Sequence, residues 1–380
     1  MSCSGSRCPV AAAPRGARAF ATFFIVMCNA LLVTAGASPV HAADYLDVQV
    51  ERTARNIAAV QDYFGVLEQK GLYGNQTLVS EVAFRRPHEF RVRVTAPPEL
   101  AGTQVSYSGN ELISWWPQQE VALIVRGFVA PDSASEGKRV ADAYHANLAA
   151  YFYGLGPVRE VAGFPALQLD QRARGSNQLV QSSLTQVYDN YSFPLSGQVT
   201  LRGGAKFDYR WQKIVFNATE RALPAVPVLP PHTLAAEWDL RWPARTSAEV
   251  AARVPKALVF PERIGGLARD RLLLHPDALP AVAAWYRNSD YYLLVTATRD
   301  THWTPFSQEY GLAVPLGSVS ARVTLSPLNS NWQFRHGGVA YNVLTNLHPE
   351  LAFREIAAAF TPPAAAAENE GAAPAPKKTK

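Results

Sequence analysis

Cysteine is scarce in this 380-residue chain: Cys3, Cys8 and Cys28 are all there are, and each lies near the N-terminus. The rest of the chain can therefore form no disulfide, offer no thiolate metal site and use no cysteine nucleophile. A dominant charge is lacking too. The first 42 residues hold three of the 36 basic side chains and none of the 31 acidic ones, which leaves 33 against 31 downstream, a net charge of +2. So even a balance carries no nucleic-acid footprint. Catalytic signatures are also missing. His88, His145, His232, His275, His302, His336 and His348 are scattered, with no HExxH or HxH pair, and there is no GxSxG elbow, Walker loop or dinucleotide fingerprint. Gly203-Gly204 and Gly265-Gly266 lack the following helix that a phosphate cradle needs. Asp170, Asp189 and Asp208 fall at polar strand or turn positions, and nothing else in the chain supports them as a carboxylate pair. No enzyme, metal or cofactor is expected.

What is present first is an apolar run, Ala19 to Ala37. Only Arg7, Arg15 and Arg18 supply charge before it, and the small-residue site Val40-His41-Ala42 follows. That order is a secretory leader: residues 1–42 read as a signal peptide, and the working chain begins near Ala43. Retained uncleaved, the run would anchor the body on the same, extracytoplasmic side. The Ala, Arg and Pro rich composition is bacterial in character, which makes the expected compartment the periplasm.

About 340 residues remain, roughly twice a usual domain, so two domains are expected. Ala43 to Val60 spaces Leu46, Val50, Ile57 and Val60 among charges, which predicts an amphipathic helix. From Asp62 to Arg126 the period drops to two, clearest in Phe90-Arg91-Val92-Arg93-Val94, where apolar and cationic side chains turn to opposite faces of a sheet. Breaks at 71–75, 86–88, 96–103, 108–110 and 117–119 predict an antiparallel meander of about five short strands. Ser133 and Glu136 form a capping box for a helix with the stripe Val140, Tyr144, Leu148, Tyr151 and Phe152, closed by Gly154. Strand patterns resume over 158–172, 179–191, 198–201 and 206–217, with a Gly203-Gly204 turn. Pro224, Pro227, Pro230 and Pro231 mark a linker. A second unit carries strands near 271–274, 291–298, 318–325, 332–335 and 340–344. It ends in a helix with Pro349 at its first position, packing through Ala352, Ile356 and Phe360. The divisions are thus 43–224, 225–360 with the linker at its start, and a disordered tail over 361–380.

Large rings are abundant on the first unit: Phe90, Trp115, Trp116, Phe152, Tyr188, Tyr209 and Trp211. A sheet covered by a helix either fills its inside with such rings as a packed core or leaves a gap that an acyl chain fills.

Several segments together resemble one family. Phe84-Arg85-Arg86-Pro87-His88-Glu89-Phe90-Arg91-Val92 is similar to the R-P-x-x-F-R segment of LolA-like lipoprotein carriers. Val105-Ser106-Tyr107-Ser108-Gly109-Asn110-Glu111-Leu112 is similar to their V-S-D-G-K-x-L strand, and Val161-Ala162-Gly163-Phe164-Pro165-Ala166-Leu167-Gln168-Leu169 to a V-x-G-x-x-A-x-x-L strand. Val187-Tyr188-Asp189 through Phe193-Pro194-Leu195 resembles a later strand of the group. Ser108 replaces the usual Asp, and Leu112-Ile113-Ser114-Trp115 the usual Leu-Trp-x-Tyr, so ligand contacts are expected to differ. Trp332 to Tyr341 and the helix after it resemble the ending of two-domain lipoprotein-sorting-like proteins; other two-domain relatives are RseB/MucB-type regulators.

The resemblance implies a mainly β (α+β) fold: a half-open antiparallel β-barrel with a helical lid, plus a small α+β C-terminal domain. It implies a non-enzymatic protein that binds a lipid, acyl chain or lipoprotein for carriage or sensing. The partners it brings are an outer-membrane acceptor or, in the regulator version, a membrane-anchored anti-sigma factor. Arg86 then helps hold the lid and Phe90 sits at the cavity mouth, while Arg91 and Arg93 face water or a lipid headgroup. Val92, Val94, Trp115, Tyr144, Leu148, Phe152, Tyr209 and Trp211 complete the expected cavity and lid.

Overall fold

The structure, a computed structural model, describes residues 39–86, 89–128, 139, 141–143, 147–148, 150–218, 222–253, 260–276, 281–298, 311–325 and 329–360. The expected leader before residue 39, the capping box at Ser133 and Glu136, and the tail from Thr361 lie outside these residues. Among the described residues, no helix is long and apolar enough to cross a membrane.

The chain opens with helix α1 (Pro39–Ala59) and runs into six antiparallel strands: β1 (Asp62–Tyr73), β2 (Gln76–Arg85), β3 (Glu89–Ala96), β4 (Gln104–Ser108), β5 (Glu111–Trp116) and β6 (Val121–Arg126). The five breaks fall where the turn residues put them; five breaks cut six strands, not five. β3 shows how alternation is translated. Phe90 and Val94 are buried on the inner face and Arg93 is exposed on the other. Arg91 departs from the expectation. It is buried, and its guanidinium donates to the carbonyls of Phe90 and Tyr107. Burial pulls its pKa below the usual arginine value.

The stretch expected to be one helix through Phe152 changes character earlier. Residues 141–143 and 147–148 are helical, but Tyr151 already begins β7 (Tyr151–Val161), and Ala162 and Gly163, both at positive φ, turn the chain into β8 (Phe164–Ala173). β9 (Val180–Tyr188), β10 (Phe193–Leu201) and β11 (Lys206–Phe216) follow. β11 pairs with β1, and a proline-rich passage leads to β12 (Leu234–Asp239), which lies parallel to β6. The result is a twelve-stranded sheet in the order β12-β6-β5-β4-β3-β2-β1-β11-β10-β9-β8-β7. β12 and β7 are its unjoined ends, so the sheet is open and no closed barrel exists among the described residues.

The second sheet has eight strands in the order β13-β14-β15-β16-β20-β19-β18-β17. They are β13 (Arg263–Ile264), β14 (Leu267–Leu274), β15 (Ala281–Arg287), β16 (Tyr292–Thr298), β17 (Leu312–Leu316), β18 (Val319–Leu325), β19 (Ser330–His336) and β20 (Val339–Thr345). A short helix α2 (Ser247–Arg253) precedes them, and α3 (Pro349–Phe360) closes the described chain. Ala352 and Ile356 of α3 are fully buried, and Phe360 meets Tyr341 at 5.3 Å between ring centres.

The two faces of this sheet serve different neighbours. One, with Trp332, Phe334, Tyr341 and Val343, shares a core with α3; the other, with Trp285, Tyr292, Leu294 and Leu344, joins the core of the first sheet. Both buried clusters draw on both sheets. Phe207, Tyr209 and Leu201 belong with Val295 and Trp332 in one, and Tyr107, Phe128 and Trp211 with Trp285 and Tyr292 in the other.

Candidate functional site, a cavity between the two sheets

Pairing in the first sheet aligns inward side chains in rows. Trp211, Leu67, Ser80 and Val94 run across β11, β1, β2 and β3; Val82, Val92, Val105, Ser114 and Leu123 run across β2 to β6. Those rows line one cavity of ≈ 160 Å³. Eight strands contribute to its wall, and eight strands laid flat would spread over about 33 Å, so this face must be concave for all of them to reach one cavity. Its floor is apolar: Leu67, Leu72, Leu78, Phe90, Trp116, Phe193, Phe207 and Trp211. The roof comes from the second sheet through Thr324, Leu325, Asn329, Asn331, Asn342 and Leu344. Among the described residues this cover is a β-sheet; the helix expected as a lid lies largely outside them.

Two glycines set the positions of two large rings. A Cβ at Gly65 would stand 2.7 Å from the Trp211 ring, and one at Gly197 would stand 2.6 Å from the Tyr209 ring. Bare backbone at both points lets the rings lie against the neighbouring strands.

Of the residues expected at the site, Phe90, Val92, Val94, Tyr209 and Trp211 line the cavity. Arg86 does not, but it holds an element beside it. Buried, it donates from Nε to Val60 O (2.6 Å) and from Nη2 to Ile57 O (2.7 Å), satisfying the last carbonyls of α1. Ile57 and Val60 in turn pack into the cluster that holds Trp211. α1 is also tied at Asp189, whose carboxylate pairs with Arg52 and whose carbonyl accepts from Asn56 Nδ2 at 2.8 Å. Leu148 packs, half-buried, against the same cluster without reaching the cavity. Tyr144 lies outside the described residues.

Trp115 and Phe152 are placed elsewhere. In β5 the inward side chains are Leu112, Ser114 and Trp116, so alternation turns Trp115 to the other face. Phe152 sits on edge strand β7, 56% exposed, with Arg174 over its ring at 4.3 Å. Sequence reasoning missed the roof and Trp116. Counting by twos from Leu112 would have found Trp116; no local pattern announces the roof.

A second set of contacts fixes the roof to the first sheet at the start of α3. Glu350 accepts from Tyr151 Oη (2.6 Å) and from Leu179 N (2.8 Å to Oε2, 3.0 Å to Oε1). Burial raises its carboxyl above the ordinary range, against the opposing effect of those hydrogen bonds. It raises the Tyr151 hydroxyl too. His348 is buried and pulled down to about 3; its Nδ1 accepts from Glu350 N at 3.3 Å, and its Nε2 lies 3.3 Å from the Asn147 side-chain amide. With Nδ1 accepting from Glu350 N, the neutral ring carries its proton on Nε2. Among the described residues no three His, Cys, Asp or Glu side chains gather as a metal site.

No family model matches the chain, and no curated protein matches it. Solved structures do. The Pseudomonas aeruginosa MucA/MucB complex is similar at 12% identity over 84% of this chain and 100% of that one, with a TM-score of 0.38. MucB alone is similar at 14% identity over 84% and 96%, TM-score 0.36. A LolA superfamily protein from Nitrosomonas europaea is similar at 13% identity over 48% and 94%, TM-score 0.21.

Proposed function

We propose that this chain is an exported, non-enzymatic binding protein that takes an acyl chain of a lipid or lipid-modified protein between its two sheets. The observation that carries the reading is the cavity, which no Lys, Arg, His, Asp or Glu side chain lines among the described residues. Burying hydrocarbon contributes about 0.8 kcal/mol per methylene, so even a short inserted segment supplies several kcal/mol. At ≈ 160 Å³ the space compares with an engineered apolar cavity of about 150 Å³ that admits benzene. A short segment of chain fits as the sheets stand. A longer one must lift the roof.

That requirement favours sensing over plain carriage as the finer reading. Occupancy would move the second sheet, and with it any surface a protein partner grips. Native mass spectrometry of the purified protein before and after delipidation, with uptake of the uncharged dye N-phenyl-1-naphthylamine, tests the binding itself. A lipid-sized mass lost on extraction and dye fluorescence gained afterwards are the expected results. Identical masses together with no dye uptake would overturn the reading.

A further inference from the structure

The cavity wall is apolar but not featureless. Ser80, 1% exposed, sits in the floor between Leu67 and Val94, and its Oγ has no hydrogen-bond partner among the described residues. The roof of the same cavity presents Asn331, half-buried as a residue, whose Oδ1 is buried and also without a partner among them. A buried hydroxyl or amide left without a partner is disfavoured, and a ligand group that completes it is bound in preference to one that does not. Asn342 and Thr324 extend the same strip of uncharged hydrogen-bonding groups along the roof.

Resting on the acyl-binding reading above, we infer that the cavity selects the linkage as well as the chain: it takes acyl groups joined as esters or amides and rejects the ionised fatty acid. An ester carbonyl can accept from Ser80 Oγ, and an amide can in addition donate its N–H to Asn331 Oδ1. A carboxylate entering the same space must shed its water with no cation among the described lining residues to receive it. The chemistry recognised is that of an O-acyl or N-acyl chain, the same in a lipid and in a lipid-modified protein.

The test is displacement of bound N-phenyl-1-naphthylamine from the full chain by octanoyl probes: the methyl ester, the N-methyl amide and, at about pH 8, the ionised acid. The ester and amide are expected to displace dye at concentrations at least about tenfold below the acid. In Ser80→Ala the ester is expected to lose most of that advantage, and in Asn331→Leu the amide is, each judged as the ratio of its potency to that of the acid on the same variant. Equal potency of all three probes against bound dye overturns the linkage inference alone. Should neither dye nor probes bind, the acyl-binding reading falls and this inference with it.

Discussion

At Gly65 a hydrogen atom is all the space allows, because a methyl group there would run into the Lys213 carbonyl oxygen and the Trp211 indole. Gly65→Ala is expected to cost about 1–3 kcal/mol as the β11 backbone at Lys213 and the Trp211 ring are pushed away; equilibrium urea denaturation would reveal this, and unchanged stability would mean that strand and ring both give way freely. Two phenylalanines of similar look in the sequence separate sharply by environment. Phe90 is 2% exposed among Phe84, Tyr107 and the cavity wall, so Phe90→Ala should lose about 3–5 kcal/mol. Phe152 rests on the surface beside Arg174, and Phe152→Ala should lose no more than about 1 kcal/mol. The same denaturation series measures both. A comparable loss in the two would contradict the placement of Phe152 on an exposed edge.

At the scale of elements, α1 and α3 are each held by contacts at one end. From the turn after β2, Arg86 satisfies carbonyls at the end of α1, and charged hydrogen bonds of this kind are worth about 1.5–3 kcal/mol. Arg86→Met is therefore expected to destabilise the chain by that order and to speed amide exchange in α1 first; uniform exchange across the fold would argue against a local role. At the start of α3, His348 is held neutral by burial, with its pKa near 3 against an unfolded value of 6.5. Its contribution is whole above pH 6.5 and drains away as pH falls towards 3, since only the unfolded ring takes up a proton in that window. Glu350 works the other way. Its raised pKa gives a contribution that is whole below 4.5 and is lost as pH rises through the folded value. Between pH 6.5 and 4.5, with Glu350 common to both, acidification should thus cost the native chain more melting temperature than it costs His348→Asn. Equal slopes would assign the acid sensitivity to other groups.

For the whole molecule, the decisive fact is that both apolar clusters cross from one sheet to the other. Neither sheet can lose its partner without exposing core, so calorimetry is expected to show one cooperative transition whose calorimetric and van't Hoff enthalpies agree. Two resolved transitions would mean that the sheets are energetically separate. The same sharing explains where sequence reading succeeded and where it stopped. β3 and the Gly203-Gly204 turn are local, and they lie where alternation and turn residues put them. β15, Ala-Val-Ala-Ala-Trp-Tyr-Arg, was invisible because six of its seven residues are buried, so no polar face marks a period of two. β12 was read as part of the second unit, yet it completes the first sheet by parallel pairing with β6, a partner more than a hundred residues away. Trp115 and Trp116 differ by one step of register, and one step exchanges inside for outside.

Alternation, glycine turns and the Arg86 to Phe90 segment by themselves determined a strand-rich first unit with large rings on its inner face. The absence of thiols after Cys28 likewise left packing as its means of support. Only the tertiary structure decided that those rings leave a gap instead of closing on one another, and that a second sheet lies over it. The reason is physical: periodicity reports which face a side chain takes within its own strand. What stands across from that face is chosen by strands brought together from distant parts of the chain.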